Sequence, residues 1–168
     1  MALSVFHLIL VFIKQRKRSF LKESLSSLPY TIHNKIRVLS LLSTNLLGYD
    51  HALFTQIALI TSIYSLDRKQ NIYTPFGLSI LSVLLVKNGF LNAAKSFGHI
   101  SIKLLPIIQN PSVTARILFS YYVFVAPYSI DLHECVLALK DSFKLCEKYN
   151  LKLWANSSIN FILFYQFS

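Results

Sequence analysis

The chain has few of the residues that break or cross-link a fold. Its 168 residues include only four glycines, five prolines and two cysteines, while 54% are hydrophobic. A disordered chain needs the opposite composition, so this class is excluded, and the length suits one domain with a buried core. Cys135 and Cys146 fall on one predicted helix, roughly 16 Å apart, which is too far for a disulfide. We expect two buried, reduced thiols.

Uncharged runs long enough to cross a bilayer are also missing, although the mean hydropathy is +0.49. The longest runs, at 51–66, 70–86 and 117–130, contain polar residues or proline and fall short of the ~18–20 apolar residues of a spanning helix. The apolar residues 1–13 precede the basic segment 14–18, which is the reverse order of a secretory signal. We expect a cytoplasmic bundle of buried helices, and a small multi-pass membrane protein stays open as an alternative.

Sequence signatures of catalysis are missing as well. No G-x-x-x-x-G-K-[ST] loop, kinase or cyclase signature, or nucleophile elbow occurs. His133, Glu134 and Cys135 are adjacent, and neighbouring side chains on a helix point about 100° apart, so they cannot converge on one metal ion. We expect no catalytic residue, no cofactor and no metal site. A Ser-His-Asp arrangement stays open, because serines are numerous and the five histidines are scattered.

The chain does contain a helical hairpin between residues 74 and 106. Thr74 is the predicted N-cap and Pro75 the first helical residue of an apolar helix. The sequence K-N-G ends this helix, with Gly89 free to adopt left-handed geometry. A second helix over 90–105 follows. A hairpin of this size cannot bury its apolar face alone, so it needs a neighbouring hairpin.

Helix signals elsewhere supply such neighbours. The paired helices begin near residues 75, 111 and 151, a repeat of roughly 36 to 40 residues that is typical of tetratricopeptide (TPR) solenoids. The Ala93-Phe97 spacing fits that pattern. The TPR pattern expects a small residue on the first helix of the hairpin, but Leu81 lies near that position. Gly98 instead allows the second helix to approach a neighbouring helix closely. We predict helices over 3–16, 19–29, 31–47, 50–66, 76–86, 90–105, 111–125, 131–149 and 151–166.

The predicted fold is therefore all-α, a TPR-like α-solenoid of antiparallel helix pairs with about nine helices. We divide it into an N-terminal helix with a basic connector, residues 1–30, and a helical repeat region, residues 31–168. The last helix ends without a closing signal or a partner. We therefore expect the repeat region to be truncated at its C-terminal end.

Four segments carry a resemblance to a known family: K-R-S-F-L-K-E-S-L-S-S-L-P at 17–29, K-I-R-V-L-S-L-L at 35–42, T-P-F-G-L-S-I-L-S-V-L-L from 74, and F-L-N-A-A-K-S-F-G-H-I-S-I-K-L-L from 90. They resemble the helical repeat region of large signalling proteins, in which TPR-like helices join a STAND/AAA-type ATPase to sensor domains and a histidine kinase or cyclase. The resemblance implies a fragment of such a protein that serves as a scaffold or intramolecular relay. It also implies that any kinase, ATPase or cyclase activity belongs to domains outside this chain.

A polar face on the second helix of the hairpin is the candidate partner-binding surface. Its residues are spaced three and four apart, which places them on one side of a helix. We expect a protein, or a neighbouring domain of a parent protein, to bind there, and we expect no small-molecule substrate. The predicted contact residues are Asn92, Lys95, His99 and Lys103.

Basic segments form the second candidate surface, since the chain carries a net charge of +10. The segment 14–18 could contact a phosphate of nucleic acid or anionic lipid, and a solvated connector is the simpler interpretation. A basic helical binder of nucleic acid or anionic lipid therefore stays open as the further alternative. The candidate anion contacts are Lys14, Arg16, Lys17 and Arg18, and a second basic row is Lys140, Lys144, Lys148 and Lys152.

Overall fold

Every described element is helical in the computed structural model, which describes residues 30–46, 50–66 and 71–167. The all-α prediction is confirmed for these residues, among which no strand occurs. The predicted helices over 3–16 and 19–29 lie outside them, so of the predicted N-terminal segment 1–30 only residue 30 is described. The seven helices are α1 (Tyr30–Leu46), α2 (His51–Leu66), α3 (Thr74–Lys87), α4 (Leu91–Lys103), α5 (Pro111–Phe124), α6 (Leu132–Lys148) and α7 (Lys152–Gln166), with short 3₁₀ turns at Leu105–Ile107 and Ala126–Tyr128.

Three of these helices begin at side-chain caps. The carboxylate of Asp50 accepts a hydrogen bond from the N–H of Leu53 at 2.9 Å. The side chain of Asn110 accepts from the N–H of Val113 at 3.2 Å. The Asp131 carboxylate accepts a hydrogen bond from the backbone N–H two residues further along the chain, at 2.7 Å. Each cap satisfies a backbone donor that a helix start leaves unpaired, so the first residues of α2, α5 and α6 are set locally.

The predicted N-cap of α3 is wrong. Thr74 is the first residue of α3 and is fully buried, and Pro75 is the second. The Thr74 hydroxyl accepts from the N–H of Asn71 at 2.9 Å and donates to the carbonyl of Ser65 at 3.2 Å. The Asn71 side chain also donates to that carbonyl, at 3.1 Å. Thr74 therefore ties the start of α3 to the end of α2.

The ends of α3 and α6 repeat one backbone motif. Gly89 follows α3 with φ of 80°, and Phe90 N–H donates to the carbonyl of Leu85 at 2.9 Å. Asn150 follows α6 with φ of 55°, and Leu151 N–H donates to the carbonyl of Cys146 at 2.8 Å. Both are Schellman motifs, which turn the chain by means of one left-handed residue. Because Asn150 turns the chain, Lys152 belongs to α7. The predicted row of lysines therefore ends at Lys148, the last residue of α6.

The helices pack in a regular order around α3. Each helix contacts the next one along the chain, α3 also packs on α5, and α5 packs on α7. The main hydrophobic core surrounds α3 and reaches from Ile36 and Phe54 to Cys135. A second core joins α5, α6 and α7 around Phe119 and Trp154. All residues of α3 from Thr74 to Leu85 are buried, since helices cover it on several sides.

Two glycines bring helices close together. A Cβ atom placed on Gly98 would lie 2.8 Å from the ring of Tyr121, so the predicted close approach of α4 is confirmed, here against α5. A Cβ atom on Gly77 would lie 2.5 Å from the Cβ of Ser65. The TPR pattern expects a small residue on α3 near Leu81, where none occurs. Gly77 instead allows α3 to approach α2 closely.

Candidate functional site

The predicted partner-binding residues share one face of α4. Asn92, His99 and Lys103 are exposed and Lys95 is half-buried. The opposite side of α4 is buried against the core through Phe97 and its neighbours. The predicted placement therefore holds, and partner binding at these residues stays a prediction. A cavity of about 560 Å³ at the start of α4 includes only Asn92 of the four.

The predicted anion contacts Lys14, Arg16, Lys17 and Arg18 lie outside the described residues. The exposed lysines of α6 do lie within them, and Lys144 pairs with Asp141 at 3.1 Å. Both partners of that ion pair are about three-quarters exposed, so the pair contributes little to stability. The lysines of α6 therefore have the character of a solvated helix face.

A polar cleft of about 380 Å³ lies where α1, the segment before α3 and the start of α5 meet. We call it the arginine cleft. Ser40 and Tyr73 are buried, whereas Arg37 is exposed, so the cleft runs from the interior to solvent. No acidic residue is among the described residues that line it: His33, Arg37, Ser40, Leu41, Tyr73, Asn110, Ser112, Val113 and Arg116.

Arg116 is the most constrained side chain of this cleft. One terminal nitrogen, Nη1, donates to the hydroxyl of Ser40 at 2.9 Å, which connects α5 to α1. Its guanidinium carbon lies 5.5 Å from the ring centre of Trp154 in α7, within cation–π range. Its Nε atom is buried and has no hydrogen-bond partner within the described part of the chain. Contacts on two helices thus fix the position of this guanidinium.

The cleft lining also contains a tyrosine–histidine pair. The Tyr73 hydroxyl lies 3.3 Å from Nε2 of His33, and the two rings meet edge to face at 5.2 Å. Burial lowers the pKa of Arg116, nearby Tyr73 opposes this, and the positive charge of Arg37 lowers it further. Burial also raises the pKa of Tyr73, while both arginines lower it. The cleft therefore holds two guanidinium groups that repel each other.

Within the part of the chain that the structure describes, the other reactive side chains do not assemble into a site. Burial raises the pKa of the Cys135 and Cys146 thiols, and both are unpaired, as the sequence predicts. A raised pKa leaves a thiol protonated and weakly nucleophilic. His133 and Glu134 are exposed while Cys135 points into the core, so this triplet diverges as predicted. No group of three potential metal ligands occurs among residues 30–46, 50–66 and 71–167.

Sequence reasoning missed the arginine cleft. The sequence patterns do not single out Arg37, and His33 is one of the five scattered histidines. One local signal was available, because Arg116 is the only charged residue between Asn110 and Asp131, a stretch that is otherwise mostly apolar. Arginine is almost never buried without a partner, so such a position deserved a search for one.

No family model, curated protein or solved structure matches this chain. Within the described residues, none of the helices combines the length and the apolar character that crossing a membrane requires. The arginine cleft and the exposed face of α4 are therefore interpreted from their own geometry.

Proposed function

We propose that this chain is a TPR-like solenoid segment that acts by binding a protein or a neighbouring domain, without catalysis of its own. The packing order carries this proposal. Alternate helices α3, α5 and α7 pack side by side, and α4 and α6 connect them. These three helices begin at Thr74, Pro111 and Lys152, close to the repeat that the sequence predicts. Solenoids built in this way offer long continuous surfaces for binding.

Two surfaces are available on this arrangement. The face of α4 with Asn92, Lys95, His99 and Lys103 is polar and lies opposite the core. The arginine cleft lies between α1 and α5, and none of these four α4 residues lines it. We propose that the face of α4 contacts the partner, because its polar groups are held on a helix whose other side is fixed by Phe97 and Gly98.

The role as a scaffold or relay in a signalling protein rests on the resemblance of the four segments to the repeat region of STAND/AAA-type signalling ATPases. Any enzymatic activity would then belong to other domains. Sequencing of full-length transcripts tests this part. A reading frame that continues into ATPase, sensor or kinase domains supports the relay, and a transcript limited to these 168 codons contradicts it.

Proximity labelling in the source cells tests partner binding. The chain is fused to a labelling enzyme, and the labelled proteins are compared between the wild type and a variant with alanine at all four α4 positions. We expect specific labelled proteins to disappear in the variant. A matched control carries alanine at four exposed positions of α6: Lys140, Asp141, Lys144 and Lys148. Identical labelling by wild type, α4 variant and control would contradict the proposal.

A further inference from the structure

We propose that the arginine cleft binds a phosphate monoester group. This inference goes beyond the proposed function, because it names the ligand chemistry of a second surface. It concerns α1 and α5, and it is independent of the face of α4.

The charge of the cleft favours a dianion. Arg37 and Arg116 both line the cleft, so it holds two guanidinium groups. They repel each other, and none of the described residues that line the cleft is acidic. A bound anion would replace this repulsion by attraction to two positive charges. A phosphate monoester carries −1.5 to −2 charges at about pH 7, which matches two guanidinium groups.

One of the two guanidinium groups, that of Arg116, is held in place before a ligand arrives. Arg116 is held by the Ser40 hydroxyl and by the Trp154 ring, and Ser40 in turn donates to the carbonyl of Arg37 at 2.8 Å. Few side-chain rotations are therefore lost when an anion binds, which favours affinity. Arg37 is exposed and lines the same cleft, so an anion that enters from solvent can reach it. A fixed guanidinium provides the planar pair of donors that phosphate oxygens accept.

The start of α5 adds backbone donors to the same cleft. Asn110, Ser112 and Val113 line it, and they belong to the cap and first turn of a helix. The first N–H groups of a helix have no partner within the helix, and its dipole favours an anion there. Asn110 already accepts from Val113 N–H, which leaves the hydroxyl and N–H of Ser112 as the nearest candidate donors.

The size of the cleft indicates an ester rather than bare phosphate. Its volume of about 380 Å³ falls in the range of roughly 300–1,000 Å³ that is common for ligand pockets. A phosphate ion fills only part of such a volume. Leu41 and Val113 provide an apolar wall that a carbon group attached to the phosphate could contact.

Calorimetric titration of the full chain at pH of about 7.5 and about 0.15 M ionic strength tests the proposal. The probes are O-phosphoserine, inorganic phosphate and acetate. We expect saturable binding of both phosphates, with phosphoserine tighter, and no saturable binding of acetate. Absence of phosphate binding, or acetate binding as tight as phosphate, would overturn the proposal. Binding of inorganic phosphate without phosphoserine would exclude the ester.

Variants locate the binding. Arg37→Gln changes an exposed side chain, so the fold is retained, and we expect about tenfold weaker phosphoserine binding or more. Arg37→Lys keeps the charge and should give an intermediate affinity. Lys35→Gln is the matched control, because it removes one positive charge from an exposed position of the same helix, outside the cleft lining. Equal weakening by Lys35→Gln and Arg37→Gln would overturn the cleft as the site.

The two proposals fail separately. Loss of labelled proteins in the α4 variant with no phosphate binding by wild type would support the scaffold and overturn the phosphate site. Arg37→Gln should leave the proteins labelled through α4 unchanged. If phosphate binds as expected but the α4 variant labels the same proteins as wild type, the α4 proposal is wrong and the arginine cleft remains.

Discussion

The hairpins α3–α4 and α6–α7 share a plan but differ in burial. Both turn at a Schellman motif, one at Gly89 and the other at Asn150. Helix α3 is buried from Thr74 to Leu85, whereas α7 exposes Leu163 and Phe164. The cause is position: α3 contacts α2, α4 and α5, while α7 contacts α6 and α5. In a row of helices, burial is set by the number of neighbours as well as by the apolar sequence.

Removing one aromatic ring from each hairpin should give the largest contrast. Phe97 in α4 is 2% exposed and Phe164 in α7 is 63% exposed. Phe97→Ala should lower the free energy of unfolding by about 3–5 kcal/mol, because it removes buried apolar contacts and leaves a cavity. Phe164→Ala should change it by less than about 0.5 kcal/mol. Urea unfolding followed by circular dichroism measures both, and equal effects would contradict the assigned burial.

Adding a Cβ atom at the two glycines where helices meet closely should give a smaller effect on stability. Gly77→Ala places a Cβ atom 2.5 Å from the Cβ of Ser65, which is anchored directly to the backbone. Gly98→Ala meets the Tyr121 ring at 2.8 Å, and a ring can rotate away. We expect both to destabilise by about 1–3 kcal/mol, with Gly77→Ala the larger. Thermal unfolding of the two variants measures this order, and a stabilised Gly77→Ala variant would contradict the close approach of α2 and α3.

One substitution at the turn residue of each hairpin should shift the free energy of unfolding in opposite directions. Gly89 has φ of 80° and Asn150 has φ of 55°, both left-handed. Gly89→Ala should cost about 1 kcal/mol, because a Cβ atom is strained there although the space is open. Asn150→Gly should stabilise by a few tenths of a kcal/mol, since glycine adopts this geometry without strain. Denaturant midpoints check both, and a stabilising Gly89→Ala would be inconsistent with the motif.

The contact of α7 with α5 should appear in the pH dependence of stability. The Tyr165 hydroxyl donates to the carbonyl of Val123 at 2.7 Å, and burial raises the pKa of Tyr165 to about 12. The unfolded phenol has a pKa of about 10. Folding therefore favours the neutral form, and this stabilisation is complete below pH of about 10 and is lost as the pH rises through about 12.

Tyr165→Phe isolates this effect. Below pH of about 10 the variant should be less stable by about 0.5–1.5 kcal/mol, the value of one hydrogen bond. Between pH of about 10 and 12 the difference from wild type should shrink, because only the wild type loses the Tyr165 contribution. Urea unfolding across this range measures the difference. A constant difference would show that Tyr165 is not buried against α5.

Helix boundaries were predictable where their signals are local. Asp50, Asn110 and Asp131 each bond to a backbone N–H within three residues, so the pattern alone identifies them. Gly89 and Asn150 are local in the same sense. Thr74 failed because its hydroxyl bonds to the carbonyl of Ser65 in the preceding helix, and this tertiary contact replaces the cap.

The two candidate sites differ in the same way. The face of α4 was predictable, because residues three and four apart on a helix share a side. The arginine cleft was not, since Arg116 and Ser40 are 76 residues apart and meet only when α5 packs near α1. No periodicity encodes that contact. A charged residue inside an apolar helix was the only sign of it.

Native-state hydrogen exchange tests the central claim, that position in the row of helices sets burial and stability. Amides exchange through local or global opening, so their protection reports the stability of each helix separately. We expect the amides of α3 around Leu81 to be the most protected and those of α7 around Leu163 to exchange much faster. Equal protection of α3 and α7, or slower exchange in α7, would contradict the account.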